Sequence, residues 1–138
     1  MTVIVDTSAW SLAFRRSPSL ARADSRVVEE LTELVREGRA VLMGPIRQEL
    51  LSGISDARQF AALRERLRAF SDLALHGVDY ERAAEFSNSC RRAGVQGSHV
   101  DFLICSAASG SGSAILSTDK DFARYAKHLP ITIHSPRK

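Results

Sequence analysis

Short apolar segments alternate with longer amphipathic segments along almost the whole chain. The apolar segments predict strands at Val3 to Val5, Ala40 to Met43, Ala114 to Ser117 and Ile131 to His134, with a further candidate at Leu73 to Leu75. The amphipathic segments place apolar residues at helical spacing and predict helices at 24–37, 45–53, 56–70, 79–93, 98–109 and 121–129. Strands that alternate with helices in this way favour an α/β fold, in which helices cover both faces of a parallel sheet.

The length and composition limit the class of protein. A chain of 138 residues fits one domain, so we expect a single domain spanning residues 1–138. The composition, 44% hydrophobic and 25% charged, is typical of soluble globular proteins, and no apolar stretch approaches the ~20 residues of a membrane helix. We therefore expect a cytoplasmic protein without a membrane partner. Cys90 and Cys105 lack metal-binding or CxxC spacing, which predicts reduced thiols in the core.

Carboxylates follow two of the predicted strands. Asp6 comes directly after the first strand, and Asp119 lies two residues beyond the strand that ends at Ser117. Because ligands of such sheets bind at the carboxyl ends of the strands, both acids lie at one edge if the strands are neighbours. Asp101 and Glu49 fall in the first turns of two predicted helices and could begin at the same edge. The sequence therefore predicts a pocket that four carboxylates share.

Most of these acids also have a simpler structural explanation. Ser98 and Asp101 have the spacing of a capping box, and Asp119 or Asp121 could cap the last helix. Glu49 could lie on a solvated helix face. Asp6 is harder to explain, because a carboxylate at the end of a buried strand is costly to desolvate without a partner, and no Lys or Arg lies near it in sequence.

Four carboxylates in one pocket would repel each other and could not all stay ionised without cations. Ligand sets made only of oxygen atoms select hard ions such as Mg²⁺ or Mn²⁺. Two such ions about 4 Å apart stabilise the attacking and leaving oxygens of a phosphodiester displacement. One carboxylate could also orient or deprotonate the attacking water.

The rest of the chain is basic, which suits a nucleic-acid substrate. The net charge is +3 and the sequence pI is near 9.2. The candidate phosphate contacts are Arg15, Arg16, Arg64, Arg66, Arg68, Arg91 and Arg92. The same arginines could instead form solvated helix faces.

Four segments of the sequence resemble the PIN-domain ribonucleases, and among these the VapC toxins of bacterial toxin–antitoxin pairs. The segments are VIVDTSAW, RQELLSG, HVDFLICSAA and ILSTDKDFARYA, in the order and at the spacing of that family. By this resemblance the catalytic and metal-binding acids are Asp6, Glu49, Asp101 and Asp119. Ser8 matches a hydroxyl residue beside the metal, and Asp121 matches the second acid of the closing motif.

The resemblance also implies an architecture, an activity and partners. It implies a three-layer α/β/α sandwich around a mainly parallel five-stranded sheet, a homodimer, and a VapB-like antitoxin whose C-terminal segment covers the active site. Trp10 and Phe14 could contact that antitoxin, or could be core residues. The implied activity is that of an Mg²⁺-dependent endoribonuclease, with Mn²⁺ as a substitute ion. Its substrate would be a structured cellular RNA such as a tRNA or ribosomal RNA.

Two other functions stay open from the residues themselves. An α/β phosphatase could use Asp6 as a nucleophile, but haloacid-dehalogenase-like enzymes usually carry a second Asp two residues later, where this chain has Ser8. A non-catalytic PIN-like module could bind RNA or a protein without metal, and its acids would then be structural.

Overall fold

A computed structural model of the chain describes residues 1–14 and 20–137. Within these ranges the strands are β1 (Val3–Val5), β2 (Ala40–Val41), β3 (Ala114–Leu116) and β4 (Thr132–Ile133). The helices of the same ranges are α1 (Thr7–Phe14), α2 (Arg22–Arg36), α3 (Gly44–Ser52), α4 (Ala57–Leu67), α5 (Gly77–Arg92), α6 (His99–Ser111) and α7 (Asp121–Tyr125). The alternation confirms the predicted α/β fold with helices flanking a parallel sheet.

The sheet has the order β2-β1-β3-β4, and each neighbouring pair is parallel. β1 is an interior strand, and its three residues are completely buried. Val5 is paired with Leu116, so β1 and β3 end side by side. This adjacency confirms that the two strands followed by predicted site residues are neighbours.

The five-stranded sheet is a prediction that the structure corrects, since the sheet has four strands in the part of the chain described. The candidate strand at Leu73 to Leu75 is reduced to one parallel bridge between Leu42 and Asp72. The physical reason is the shortness of β2, which runs for two residues and is soon followed by Pro45, a residue without a backbone N–H. A strand placed beside β2 at the edge of the sheet would therefore have only two residues to pair with.

Two groups of helices enclose the sheet. Helices α1 to α4 pack against one another and α2 contacts β2, while α5 packs on α6, which in turn contacts β1 and β3. Helix α1 begins directly after Asp6, in a segment for which the sequence analysis predicts no helix. The described helices do not include one that is long and apolar enough to cross a membrane.

Several side chains lie where the sequence predicts, and two cannot be placed. Cys90 and Cys105 are both free thiols in the core, which confirms that prediction. Trp10 is also a core residue, 3% exposed, with its ring 5.1 Å from that of Phe70. Arg15 and Arg16, two of the predicted phosphate contacts, lie outside the described residues.

The C-terminal segment is tied to α2 by a buried carboxylate that the sequence did not single out. Glu30 is 3% exposed, and its oxygens lie 2.6 Å from His134 Nε2 and 2.8 Å from Arg137 Nε. Burial alone would raise the pKa of Glu30, but the hydrogen bonds from Arg137 and His134 outweigh it and hold this pKa below its ordinary value. The acid therefore has a structural role, because it holds the C-terminal segment against α2.

Candidate metal centre

Asp6 is held at the end of β1 by hydroxyl groups. It is 8% exposed, and its backbone N–H donates to the carbonyl of Leu116 at 2.9 Å. Ser8 and Ser117 both donate hydrogen bonds to its Oδ2, at 3.0 and 2.7 Å. These hydroxyls are the partners that the buried carboxylate lacked in the sequence analysis, and they orient it at the edge of the sheet.

The same two serines join the loops that follow β1 and β3. Ser117 Oγ accepts from the backbone N–H of Asp119 at 2.9 Å, and Ser8 Oγ accepts from that of Thr118 at 3.0 Å. Sequence reasoning missed Ser117. Ser117 is the first residue after β3, but its contact with Asp6 depends on the pairing of β3 with β1, which the sequence alone does not fix.

Three carboxylates meet beside this network, and we call Asp101, Asp119 and Asp121 the acidic trio. Each offers one carboxylate oxygen, and these oxygens all lie within 4.8 Å of one another. Oxygens bound to a single Mg²⁺ at about 2.1 Å lie at most about 4.2 Å apart. Small side-chain rotations would therefore bring the trio to the spacing that a hard divalent cation requires, and its donor chemistry suits such an ion.

Asp101 carries the clearest electrostatic sign of this crowding. Burial is the largest cause that raises the pKa of Asp101, and the negative charges of Asp6 and Asp119 raise it further. Hydrogen bonds from Tyr125 and Ser98 act in the opposite direction but do not cancel the increase. A cation beside this carboxylate would relieve both the desolvation and the repulsion.

The capping explanation of Asp101 accounts for its backbone rather than its carboxylate. Ser98 Oγ accepts from the Asp101 N–H at 3.0 Å and so caps the start of α6. The carboxylate instead accepts from the Tyr125 hydroxyl at 2.7 Å, and one of its oxygens belongs to the acidic trio. The backbone N–H of Asp101 is thus used at the start of α6, while its carboxylate remains available to the site.

The other two members of the trio also have structural contacts. Asp119 Oδ1 accepts from the backbone N–H of Asp121 at 2.9 Å, at the start of α7. Asp121 Oδ1 lies 3.2 Å from Arg124 Nη1, so this carboxylate forms a salt bridge with an arginine. The two residues therefore begin the last helix as the sequence allowed, and they still converge with Asp101.

Glu49 is not a member of the acidic trio. It lies on α3, is exposed, and its Oε2 accepts from Thr7 Oγ1 at 3.0 Å. Because Thr7 directly follows Asp6, this contact holds Glu49 on the side of the site formed by the start of α1. Glu49 is thus exposed to solvent and also contacts Thr7, the residue next to Asp6.

A basic and aromatic surface adjoins Glu49. A cavity of about 770 Å³ is lined by Glu49, Phe14 and Arg66, among other residues of α1, α3 and α4. The Arg66 guanidinium lies 4.7 Å from the centre of the half-buried Phe14 ring. Of the predicted phosphate contacts, those that the structure describes are all exposed: Arg64, Arg66, Arg68, Arg91 and Arg92.

The parallel sheet and the acidic site at its carboxyl edge define a known class of protein. The sequence matches the profile of the PIN domain over residues 3–128. The chain therefore belongs to the PIN-domain family.

A curated relative places the chain more closely, and solved structures support the fold. VapC ribonuclease Mb1587 of Mycobacterium bovis is 31% identical over 122 residues, which cover 87% of this chain and 88% of the relative. Within the PIN-domain family the chain is therefore of the VapC type. FitAcB from Neisseria gonorrhoeae has a TM-score of 0.77 at 20% identity, over 98% of each chain. VapBC2 from Rickettsia felis, bound to a DNA fragment from its promoter, has a TM-score of 0.76 at 16% identity, over 100% of both chains.

Proposed function

We propose that this chain is an Mg²⁺-dependent endoribonuclease and the toxin of a toxin–antitoxin pair. Its reaction is the hydrolysis of phosphodiester bonds in a structured cellular RNA such as a tRNA or ribosomal RNA. The observation that carries the proposal is the convergence of Asp101, Asp119 and Asp121 within 4.8 Å. This acidic site belongs to a chain of net charge +3 that matches a VapC ribonuclease along most of its length.

The ion would be held by carboxylates from two distant parts of the chain. Asp101 and Asp119 are the ligands we expect, with Asp6 beside them and Asp121 and Glu49 at the margins. Mg²⁺ prefers oxygen ligands and keeps several waters, so a few carboxylates are a sufficient protein contribution, and Mn²⁺ is a suitable substitute. When bound, such an ion supplies charge stabilisation for the phosphoryl oxygens and lowers the pKa of water.

The chain's own residues would position the reactants. Ser8 and Ser117 hold the Asp6 carboxylate in one orientation at the sheet edge. An acid that the ion does not fully occupy could accept a proton from the attacking water, and Glu49 is the exposed candidate for that role. Exposed arginines such as Arg66 could contact RNA phosphates and hold the strand across the site.

The partner we expect is a VapB-like antitoxin, together with a second copy of this chain in a homodimer. Support comes from the solved neighbours, which include the VapBC2 complex of Rickettsia felis and other VapBC structures. The cavity beside Glu49, with Phe14 and Arg66 in its wall, offers an apolar and basic surface next to the acids. A segment bound there would block access of RNA to the site.

Removal of divalent metal should abolish the activity. Purified chain, free of antitoxin, should shorten tRNA or ribosomal RNA in Mg²⁺ and leave 5′-phosphate and 3′-hydroxyl ends. Addition of EDTA should reduce cleavage at least about 100-fold, and excess Mn²⁺ should restore it. The measurement is fragment length and end chemistry by gel and sequencing. Equal cleavage in EDTA, or RNA of unchanged length in Mg²⁺, would contradict the proposal.

Two further assays separate the alternative functions: trapping of a phosphorylated Asp6, and binding of RNA and Mn²⁺ without cleavage. Ser8 and Ser117 both donate to Oδ2 of Asp6, the residue that a phosphatase would use as a nucleophile. A phosphorylated Asp6 trapped in the presence of a phosphate ester would nevertheless favour a phosphatase. RNA binding without cleavage and without uptake of Mn²⁺ would favour a binding module.

A further inference from the structure

A buried tyrosine links α6, which carries Asp101, to α7, which begins at Asp121. Tyr125 lies on α7, four residues after Asp121, and is completely buried. Its hydroxyl donates to Asp101 Oδ2, on α6, at 2.7 Å. The hydrogen bond therefore connects the helix that presents Asp101 to the helix that follows Asp119 and begins at Asp121.

The tyrosine ring is fixed by aromatic contacts. Its centroid lies 5.1 Å from that of Phe102, on α6, and 5.4 Å from that of Phe122, on its own helix. Such contacts leave the ring little freedom to rotate away from Asp101. The hydroxyl is thus held beside the Asp101 carboxylate.

Gly97 provides the space in which this hydroxyl lies. A Cβ atom at position 97 would overlap the Tyr125 hydroxyl oxygen, and it would lie 2.8 Å from Cζ of the same ring. The φ angle of Gly97 is not positive, so the backbone does not itself demand glycine there. The close approach of the tyrosine is the reason that a side chain is excluded.

We propose that Tyr125 is a positioning residue of the metal centre: its hydroxyl fixes the rotation of the Asp101 carboxylate so that Asp101 faces Asp119 and Asp121, and Gly97 keeps the hydroxyl in place. The inference depends on the proposed metal-dependent function, since it concerns a residue that contacts a proposed ligand of the same ion. Hydrogen-bonding partners of metal ligands commonly contribute 10–100-fold to metal affinity or activity, because they set ligand orientation.

The test is Mn²⁺ binding to the purified chain, measured by calorimetry and by the electron paramagnetic resonance signal of free Mn²⁺. Tyr125→Phe removes the hydroxyl and retains the ring, so we expect its Mn²⁺ dissociation constant to rise about tenfold. Tyr80→Phe is the matched control, because Tyr80 lies on α5 with 55% of its surface exposed, and its Mn²⁺ affinity should equal that of the wild type. Circular dichroism checks that each variant is folded.

Gly97→Ala gives a second and independent readout. Alone it should weaken Mn²⁺ binding by displacing the hydroxyl. In the Tyr125→Phe background the further loss should be smaller than the loss that Gly97→Ala causes alone, because the hydroxyl is absent and the added Cβ meets only ring carbons there. A Tyr125→Phe variant that melts lower but binds Mn²⁺ as tightly as the wild type would overturn the inference and leave the proposed function intact. Failure of the wild type to bind Mn²⁺ would overturn both.

Discussion

Replacing Asp101 with Asn is expected to slow RNA cleavage at least about 100-fold, because it removes the charge of a proposed metal ligand. The substitution is nearly isosteric, and the Asn oxygen can still accept from Tyr125. The start of α6 should also persist, since the Ser98 cap uses the backbone N–H of residue 101. Loss of cleavage would therefore report on charge rather than on misfolding.

The same variant should be more stable than the wild type when metal is absent. The pKa of Asp101 is raised in the fold, mainly by burial and further by Asp6 and Asp119. An acid with a raised folded pKa destabilises the fold as pH rises above its unfolded value of about 3.9, and the penalty is complete above the folded pKa. In EDTA at pH 7 the Asp101→Asn variant should therefore melt a few degrees higher, and the difference should shrink towards about pH 4.

Two measurements on one set of variants check this prediction: the rate of RNA cleavage in Mg²⁺ and the melting temperature in EDTA across pH. Glu29→Gln is a suitable control, because it also removes one negative charge and Glu29 is an exposed residue of α2. That control should change neither quantity appreciably. An Asp101→Asn variant that cleaves RNA at the wild-type rate would show that the carboxylate has no part in the reaction.

Asp119→Asn should reduce cleavage far more than Asp121→Asn, by at least about 100-fold against about tenfold. The Asp121 carboxylate already has a cation, Arg124 Nη1 at 3.2 Å, which competes with a metal for its charge. Asp119 has no comparable ion pair among the contacts of the described residues, and its Oδ1 accepts a single backbone hydrogen bond. We therefore expect Asp119 to be the ligand and Asp121 to support it.

The comparison is controlled internally, because the two residues are two positions apart and each substitution removes the same charge. Asn at position 119 keeps an oxygen that can accept from the Asp121 N–H, so α7 should still begin at the same place. Single-turnover cleavage rates at saturating Mg²⁺ and again at limiting Mg²⁺ would separate loss of metal from loss of chemistry. Equal losses, or a larger loss for Asp121→Asn, would contradict the assignment.

Much of the fold follows from local patterns in the sequence. The interior strand Val3–Val5 is unbroken by polar residues, and α2 has a clear apolar periodicity that ends before Gly38, which adopts a φ of 69°. Strand number is less predictable, because pairing depends on how much strand a neighbour offers. The segment at Leu73 to Leu75 is apolar like the other predicted strands, but the two residues of β2 leave it only one bridge.

The site could be predicted as a set of acids at one edge, but not in its detailed arrangement. Asp101 and Asp119 converge because strand ends and helix starts share that edge, which sequence order suggests. Glu49 lies outside the acidic trio and accepts a hydrogen bond from Thr7, a residue distant in sequence, and no local pattern encodes that contact. Ser117 and Tyr125 were missed for the same reason: their partners are distant in sequence.

The most direct test of the metal centre is a crystal of this chain soaked in MnCl₂, with anomalous scattering recorded at the manganese edge. We expect an anomalous peak bonded to carboxylate oxygens of Asp101 and Asp119, with the serine-bound Asp6 beside it. A crystal of the Asp119→Asn variant, soaked in the same way, should show a weaker peak or none. Manganese bound elsewhere, or no manganese at the acidic trio under conditions in which the protein cleaves RNA, would contradict the account.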